Sequence, residues 1–143
     1  MTDKDTEMRT VVVERDFAHP PEKVWRALTQ PHLIAEWLVQ NDFLPEVGHR
    51  FSARFDWGAV DCRVLEIEPP TILSYTWASG ELDSTVTWYL SATETGTRLL
   101  MEQTGFGRDK GQARFYHGAR AGWPRFLDAM EALLTRLEAQ PPT

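Results

Sequence analysis

The chain has 143 residues, a formal net charge of −6 and a pI of about 5.2. This length favours a single domain, and the acidic balance argues against nucleic acid or an anionic membrane surface as a partner. The one cysteine, Cys62, excludes an intramolecular disulfide and a thiolate metal cluster. A polar N-terminus and the lack of a long apolar run predict a cytoplasmic protein of bacterial type without a membrane span.

The two ends of the chain are polar. We expect residues 1–9 to be a disordered tail, residues 140–143 to be a second tail, and residues 10–139 to form one domain. No repeat, linker or low-complexity segment interrupts the sequence between the tails.

The first part of the domain predicts a strand followed by two short helices. The β-branched residues of RTVVVERDF (9–17) are typical of a strand. Two prolines then suit the start of a helix in PPEKVWRALT, and Pro31 starts a second helix, PHLIAEWL. We expect Trp25 and Trp37 to point inward, so that these helices close one end of a cavity.

From residue 46 onward, apolar residues recur at every second position, which is the period of a strand. The first of these strands is expected to place Phe51, Ala53, Phe55 and Trp57 on one face. The short turns between the strands indicate antiparallel pairing. The inward positions predicted on the later strands are Val60, Cys62, Val64, Leu73, Tyr75, Trp77, Val86, Trp88, Leu90, Leu99, Met101 and Gln103.

A long amphipathic helix is predicted from about residue 112 to residue 139. Pro124 lies inside it and is expected to kink the helix or to mark a new start. Gly118 and Gly122 weaken the same region. The order of elements predicts an α+β fold in which a curved antiparallel sheet of about six strands surrounds the long C-terminal helix, with two short helices after the first strand.

Several segments, in their order and spacing, resemble the START-like, or SRPBCC, superfamily. They are FAHPPEKVWRALTQPHLIAEW, PEVGHRF, VLEIEPPTILSYTW, TVTWYL, TGTRLLMEQTGF and GWPRFLDAMEALL. The chain is most similar to the branch related to the C-terminal domain of the activator of heat-shock-protein-90 ATPase, over about residues 11–137. The resemblance implies a helix-grip fold, which hosts lipid carriers, hormone binders, aromatase/cyclases and co-chaperone domains.

Two positions can be compared directly with the family pattern, and the chain matches it at one and departs from it at the other. Members of the family usually have Gly-Trp at the start of the last part of the terminal helix, and Gly122 and Trp123 match it. Members often carry a histidine just before the Gly-Phe that ends the last strand. Here Gln103 is the nearest inward polar residue, so the chain departs from the family pattern at the position where the histidine would supply an acid/base group.

A set of inward aromatic rings is the candidate ligand site. Such rings can line an apolar cavity with a few oriented polar groups, although they can equally well fill a core. Tyr75 and Gln103 would supply hydrogen bonds. We predict no catalytic residue, no metal ligand and no cofactor. The predicted ligand-binding residues are Trp37, Phe55, Tyr75, Trp77, Trp88, Met101, Gln103, Trp123 and Phe126.

Other reactive residue types have simpler interpretations. Cys62 is predicted to be a small buried hydrophobe, since no local signature of a catalytic thiol surrounds it. The four histidines lack metal-ligand spacing; His19 is expected at the surface or in a cap, and His117 near the cavity mouth. The glycine-rich segment 105–111 is predicted to be a mobile loop rather than a phosphate cradle. The strand carboxylates are expected on the solvated face.

Three functions stay open on the sequence. The first is binding of a small hydrophobic or aromatic molecule in an enclosed cavity between the sheet and the C-terminal helix, with a homodimer left open. The second is a protein-interaction module, similar to the co-chaperone domain, that regulates an ATPase; an exposed apolar patch beside the mouth would favour it. The third is an enzyme of the cyclase or dehydratase type, with Tyr75, Gln103 and His117 as its only polar candidates.

Overall fold

The computed structural model describes residues 9–107 and 110–139. The predicted tails at 1–8 and 140–143 lie outside the described residues, as do residues 108 and 109 of the predicted mobile loop; Arg9 belongs to the first strand. In chain order the elements are β1 (Arg9–Phe17), α1 (Pro21–Thr29), α2 (Pro31–Trp37), β2 (Gln40–Asn41), β3 (Arg50–Phe55), β4 (Gly58–Glu68), β5 (Ile72–Ser79), β6 (Leu82–Ala92), β7 (Thr97–Phe106) and α3 (Lys110–Ala139).

The strands form one antiparallel sheet in the order β1-β7-β6-β5-β4-β3-β2, and the sheet curves around α3. The predicted α+β fold is confirmed. The sheet has seven strands rather than about six because β2 adds a two-residue pairing, in which Gln40 and Asn41 lie opposite Arg54 and Ala53. Two residues are too few to show a strand period, so the sequence contains no signal for β2.

The side chains that alternation predicts to be inward lie on the inner face of the sheet, with one exception. The positions expected to face inward on β4 to β7 are all buried, including the polar residue Gln103. Trp57 differs from the prediction and is 68% exposed. The chain turns at Asp56 and Trp57, before Gly58 begins β4, so Trp57 falls in the turn instead of on the inner face of β3.

The two short helices begin at prolines, as predicted. Pro21 and Pro31 each lie in a first helical turn, where a missing backbone N–H costs no hydrogen bond. Gln30 is extended between them, which is the conformation that a following proline favours. Trp37 is buried and its indole Nε1 donates to the carbonyl of Ala27 at 2.7 Å, which ties α2 to α1. Trp25 was also expected to be inward, but it is only half-buried.

The long helix starts two residues before the predicted start and continues as one element through Pro124. The lack of an N–H at Pro124 frees a carbonyl in the preceding turn. The carbonyl of Pro124 itself accepts a hydrogen bond from Arg15, which also pairs with Asp128 at 2.7 Å. These contacts hold the middle of α3 against β1.

The two halves of α3 pack differently. The C-terminal half buries Leu127, Met130, Leu133 and Leu134 completely or almost completely. Helix α2 packs beside this half, where Arg136 pairs with Glu36 at 3.2 Å. The short helices therefore cover the C-terminal half of α3. The N-terminal half contains Gly118 and Gly122 instead of large buried side chains at these positions.

A bulge in β7 makes one glycine necessary. Arg9 lies opposite Phe106 whereas Thr10 lies opposite Thr104, so Gly105 is the extra residue. Its φ is +111°, and a Cβ there would lie 2.7 Å from the carbonyl oxygen of Asp83. We expect Gly105→Ala to lower the free energy of unfolding, measured by urea denaturation, by about 1–2 kcal/mol.

Gly118→Ala is the matched control for this substitution. Gly118 is helical and a Cβ there meets nothing within 4 Å. The alanine is expected to raise the free energy of unfolding by about 0.5–1 kcal/mol through helix propensity. A loss of stability at Gly118 equal to that at Gly105 would contradict the steric explanation.

Candidate functional site

A cavity of about 410 Å³ lies between the inner face of the sheet and the N-terminal half of α3. We call it the pocket. Its mouth is formed by Trp57, Arg114 and Gly118, which are exposed to solvent. The pocket is lined by Phe55, Trp57, Val60, Trp77, Ser79, Leu82, Gln103, Phe106, Arg114, Phe115, Gly118, Ala119, Gly122, Trp123 and Phe126.

The pocket exists because α3 presents small residues to the sheet. Gly118, Ala119 and Gly122 all line it, and they lie on one face of the helix at spacings of three and four. A Cβ built on Gly122 meets only the Phe126 ring, at 3.9 Å. Since larger residues at these positions would fill the space, the sequence of the helix sets the volume of the pocket.

Aromatic residues make up seven of the fifteen residues that line the pocket. Phe55 stacks on Trp57 with ring centroids 5.2 Å apart and planes 8° apart. Deeper inside, the Trp123 ring contacts Trp77 with centroids 5.4 Å apart and tilted planes, and it contacts Phe126 edge-on with centroids 5.7 Å apart. These ring contacts, together with burial, fix the wall before any ligand arrives.

A hydrogen-bond network supports the inner end of the pocket. The amide oxygen of Gln103 accepts from the Trp123 indole at 2.7 Å, and its amide nitrogen donates to Ser84 Oγ at 2.9 Å. Ser84 in turn donates to the Trp77 carbonyl at 2.7 Å. Gln103 is 1% exposed, so its primary amide is oriented by partners on β6 and α3. An amide has two N–H donors and two lone pairs, and these two hydrogen bonds use one of each.

The structure separates the predicted site residues into two groups. Phe55, Trp77, Gln103, Trp123 and Phe126 line the pocket. The others are buried core residues that do not line it: Trp37, Tyr75, Trp88 and Met101. Periodicity predicts which face of a strand is inward, but it cannot tell which part of that face is covered by large side chains and which by glycine.

Tyr75 illustrates the difference between the two groups. It accepts a hydrogen bond from the Trp88 indole at 2.9 Å, and burial raises the pKa of its phenol, with the Trp88 bond acting in the opposite direction. Tyr75 and Gln103 both lie opposite Val86 in the sheet, two strands apart, which separates their backbones by about 10 Å. The two polar groups therefore belong to separate networks.

The end of the domain near α1 and α2 is filled. A cavity of only about 10 Å³ remains there, among Trp37, Phe43 and neighbouring apolar residues. This is room for at most one water molecule. The pocket lies farther along the sheet, beside the N-terminal half of α3, and Trp77 lines both cavities.

A family model described as "Activator of Hsp90 ATPase homolog 1-like protein" matches residues 18–135. The chain belongs to this family. A comparison with curated proteins finds no match.

Several solved structures share the fold of this chain. Protein MLL2253 from Mesorhizobium loti is 56% identical, with a TM-score of 0.84, over 90% of this chain and 98% of that one. Protein BH1534 from Bacillus halodurans is 27% identical, with a TM-score of 0.79, over 90% and 99%. CalU16 from Micromonospora echinospora is 23% identical, with a TM-score of 0.76, over 92% and 79%, and this likeness shows the fold alone.

The pocket is also lined by residues that the sequence did not predict as ligand-binding residues. Val60, Ser79, Leu82, Phe106, Arg114 and Phe115 are examples. Phe115 has a signal in the helical periodicity, but Ser79 and Leu82 lie beside the β5–β6 turn. Their place in the pocket follows from tertiary packing, which no local pattern contains.

The histidines lie outside the pocket lining. His117 is exposed and contacts the Tyr116 ring edge-on at 5.4 Å. His19, expected at the surface or in a cap, is 6% exposed, and its carbonyl accepts from Thr97 at 2.6 Å. Within residues 9–107 and 110–139, no group of three histidine, cysteine or acidic residues is arranged to hold a metal ion. No helix in these same segments is long and apolar enough to cross a membrane.

Cys62 is buried, as predicted for a small hydrophobe. Its Sγ lies 3.8 Å from the Val60 carbonyl oxygen. Burial is the largest cause that raises the pKa of the thiol, and the negative charges of Asp61 and Asp42 raise it further. A thiol with a raised pKa supplies little thiolate, the reactive form.

We expect Cys62 in the folded protein to react with Ellman's reagent on the order of a hundredfold more slowly than in the urea-unfolded chain. Raising the pH from about 7 to 9 should accelerate the reaction of the unfolded chain, whose thiol has an ordinary pKa near 8.5. The folded protein should respond far less over the same range. A folded rate that follows pH like a free thiol would show an accessible thiolate and contradict the burial argument.

Proposed function

We propose that this protein binds a small hydrophobic or aromatic molecule in the pocket between the sheet and α3. The observation that supports this most directly is an open space of about 410 Å³ in which seven of the fifteen lining residues are aromatic. Ligand sites in proteins commonly have volumes of about 300–1,000 Å³, apolar walls and a few polar groups. In this pocket the polar side chains are Ser79, Gln103 and Arg114, with Trp57 and Trp123 contributing indole rings.

Burial of apolar surface would supply most of the affinity. The gain is about 25 cal/mol for each Å² of apolar surface removed from water, reduced by the loss of ligand freedom. The pocket wall is held by ring contacts and by the Gln103 network, so little further ordering of the protein is needed. A preformed wall of this kind favours a flat, rigid ligand over a flexible one.

Binding is testable with the neutral probe N-phenyl-1-naphthylamine, which becomes fluorescent in apolar surroundings. We expect saturable fluorescence with the wild type and a rise in melting temperature of about 5–10 °C at a hundred times the dissociation constant. Native mass spectrometry of the purified protein would in addition detect a ligand that co-purifies.

Gly122→Leu is the variant that tests the location. Its side chain would occupy the pocket, so fluorescence should be lost while the helix keeps its fold. Ala132→Leu is the matched control, because Ala132 is exposed on the same helix outside the pocket. Absence of probe binding to the wild type, or equal binding by wild type and Gly122→Leu, would contradict the proposal.

A second function is a protein-interaction module that regulates an ATPase. The family description supports it, and so does Trp57, an exposed indole at the mouth. The test is ATP hydrolysis by a purified bacterial heat-shock-protein-90 ATPase with and without this protein. Stimulation that disappears in Trp57→Ala but persists in Gly122→Leu would favour regulation over ligand binding.

A further inference from the structure

The described lining of the pocket contains one charged side chain, Arg114. It lies at the mouth, in the second turn of α3, and its side chain is exposed. The protein as a whole is acidic, with a net charge of −6. Arg114 therefore places a positive charge beside aromatic rings, in a pocket whose other described lining residues are uncharged.

Within the described residues, Arg114 forms no ion pair with another side chain. Three other arginines of the described part do form ion pairs: Arg15 with Asp128, Arg98 with Asp16 and Arg136 with Glu36. No carboxylate lines the pocket among the described residues, so none there competes for the guanidinium. A planar guanidinium with five N–H donors is well suited to carboxylate, sulfonate and phosphate groups.

We infer that the ligand is an aromatic anion whose rings lie against the pocket wall and whose acidic group pairs with Arg114 at the mouth. This inference rests on the proposed binding function and names the chemical class of the ligand. The neutral aromatic part gains from burial, while the anion stays at the exposed mouth, where it keeps part of its hydration.

The geometry of α3 also limits the length of the ligand. Trp123, which is bound to Gln103 at the inner end, lies nine residues after Arg114. At 1.5 Å per residue, the two levels are about 13 Å apart along the helix. An elongated system of two or three rings with one terminal acid is of about this length, so its far end would lie in the part of the pocket that Gln103 and Trp123 line.

The test uses two probes with nearly the same ring system. 1-Anilinonaphthalene-8-sulfonate carries an anionic sulfonate, and N-phenyl-1-naphthylamine is neutral. We expect Arg114→Gln to weaken binding of the sulfonate about five- to tenfold and to change binding of the neutral probe by less than about twofold. Added salt should weaken only the sulfonate complex, because the ion pair at the mouth is screened.

Arg125→Gln is the control, since Arg125 is an exposed arginine on the same helix outside the pocket lining. It removes the same charge and is expected to leave both affinities unchanged. Equal loss in both arginine variants would indicate a general charge effect and overturn the inference. Binding of both probes that is insensitive to Arg114→Gln would also overturn it and leave the proposed function intact, whereas failure of both probes to bind wild type would overturn the proposed function itself.

Discussion

Trp88→Ala is expected to remove about 3–5 kcal/mol from the free energy of unfolding. Trp88 is 0% exposed and lies between two other indoles, with ring centroids 5.7 Å from Trp37 and 5.5 Å from Trp123. Its indole N–H also donates to the buried Tyr75 hydroxyl. The alanine would leave a large hole between the packed end of the domain and the pocket, and a domain of this kind has only about 5–15 kcal/mol in total.

Two further tryptophan variants separate packing from hydrogen bonding. Trp88→Phe keeps most of the ring but leaves Tyr75 without its donor, so we expect a smaller loss of about 1–3 kcal/mol. Trp57→Ala removes an exposed ring that stacks on Phe55 and should cost about 1 kcal/mol or less. Guanidinium unfolding followed by far-UV circular dichroism gives all three values. A loss for Trp88→Ala no larger than that for Trp57→Ala would contradict a central packing role.

The fold follows from the sequence because its signals are periodic and its breaks are sharp. Alternation in TVTWYL and RLLMEQ predicts buried Trp88 and Met101, and both are fully buried. Pro31 predicts the end of one helix and the start of the next. The exceptions are local: β2 has only two residues, and Trp57 lies in a turn two residues after Phe55, the last residue of β3.

The candidate site is less predictable from the sequence than the fold, because the pocket depends on two positions of α3 that have no side chain, Gly118 and Gly122. Trp77 and Tyr75 have the same alternation, yet only Trp77 lies next to the pocket. The difference comes from α3, where Gly118 and Gly122 keep the helix surface low opposite Trp77. Large residues such as Met130 fill the corresponding space farther along the helix. Sequence alone gives the glycines but not the strand residues that they face.

Gln103→Leu is expected to lower the free energy of unfolding by about 2–3 kcal/mol. The leucine has a similar volume, but it removes the acceptor of the Trp123 indole and the donor to Ser84. A buried donor without a partner costs about 1–3 kcal/mol, and the lost hydrogen bonds add to this. Gln40→Leu, at an exposed position of β2, is the matched control and should change stability by less than about 0.5 kcal/mol.

A double-mutant cycle with Trp123→Phe assigns the cost of Gln103→Leu to the hydrogen bond itself. Phenylalanine at position 123 has no indole N–H, so Gln103→Leu should be less damaging in that background by about 1 kcal/mol or more. Ser84 keeps its own bond to the Trp77 carbonyl in both backgrounds, so its contribution cancels in the cycle. If the two substitutions were simply additive, Trp123 would be held by ring packing alone, and the inner wall of the pocket would not depend on Gln103 for its orientation.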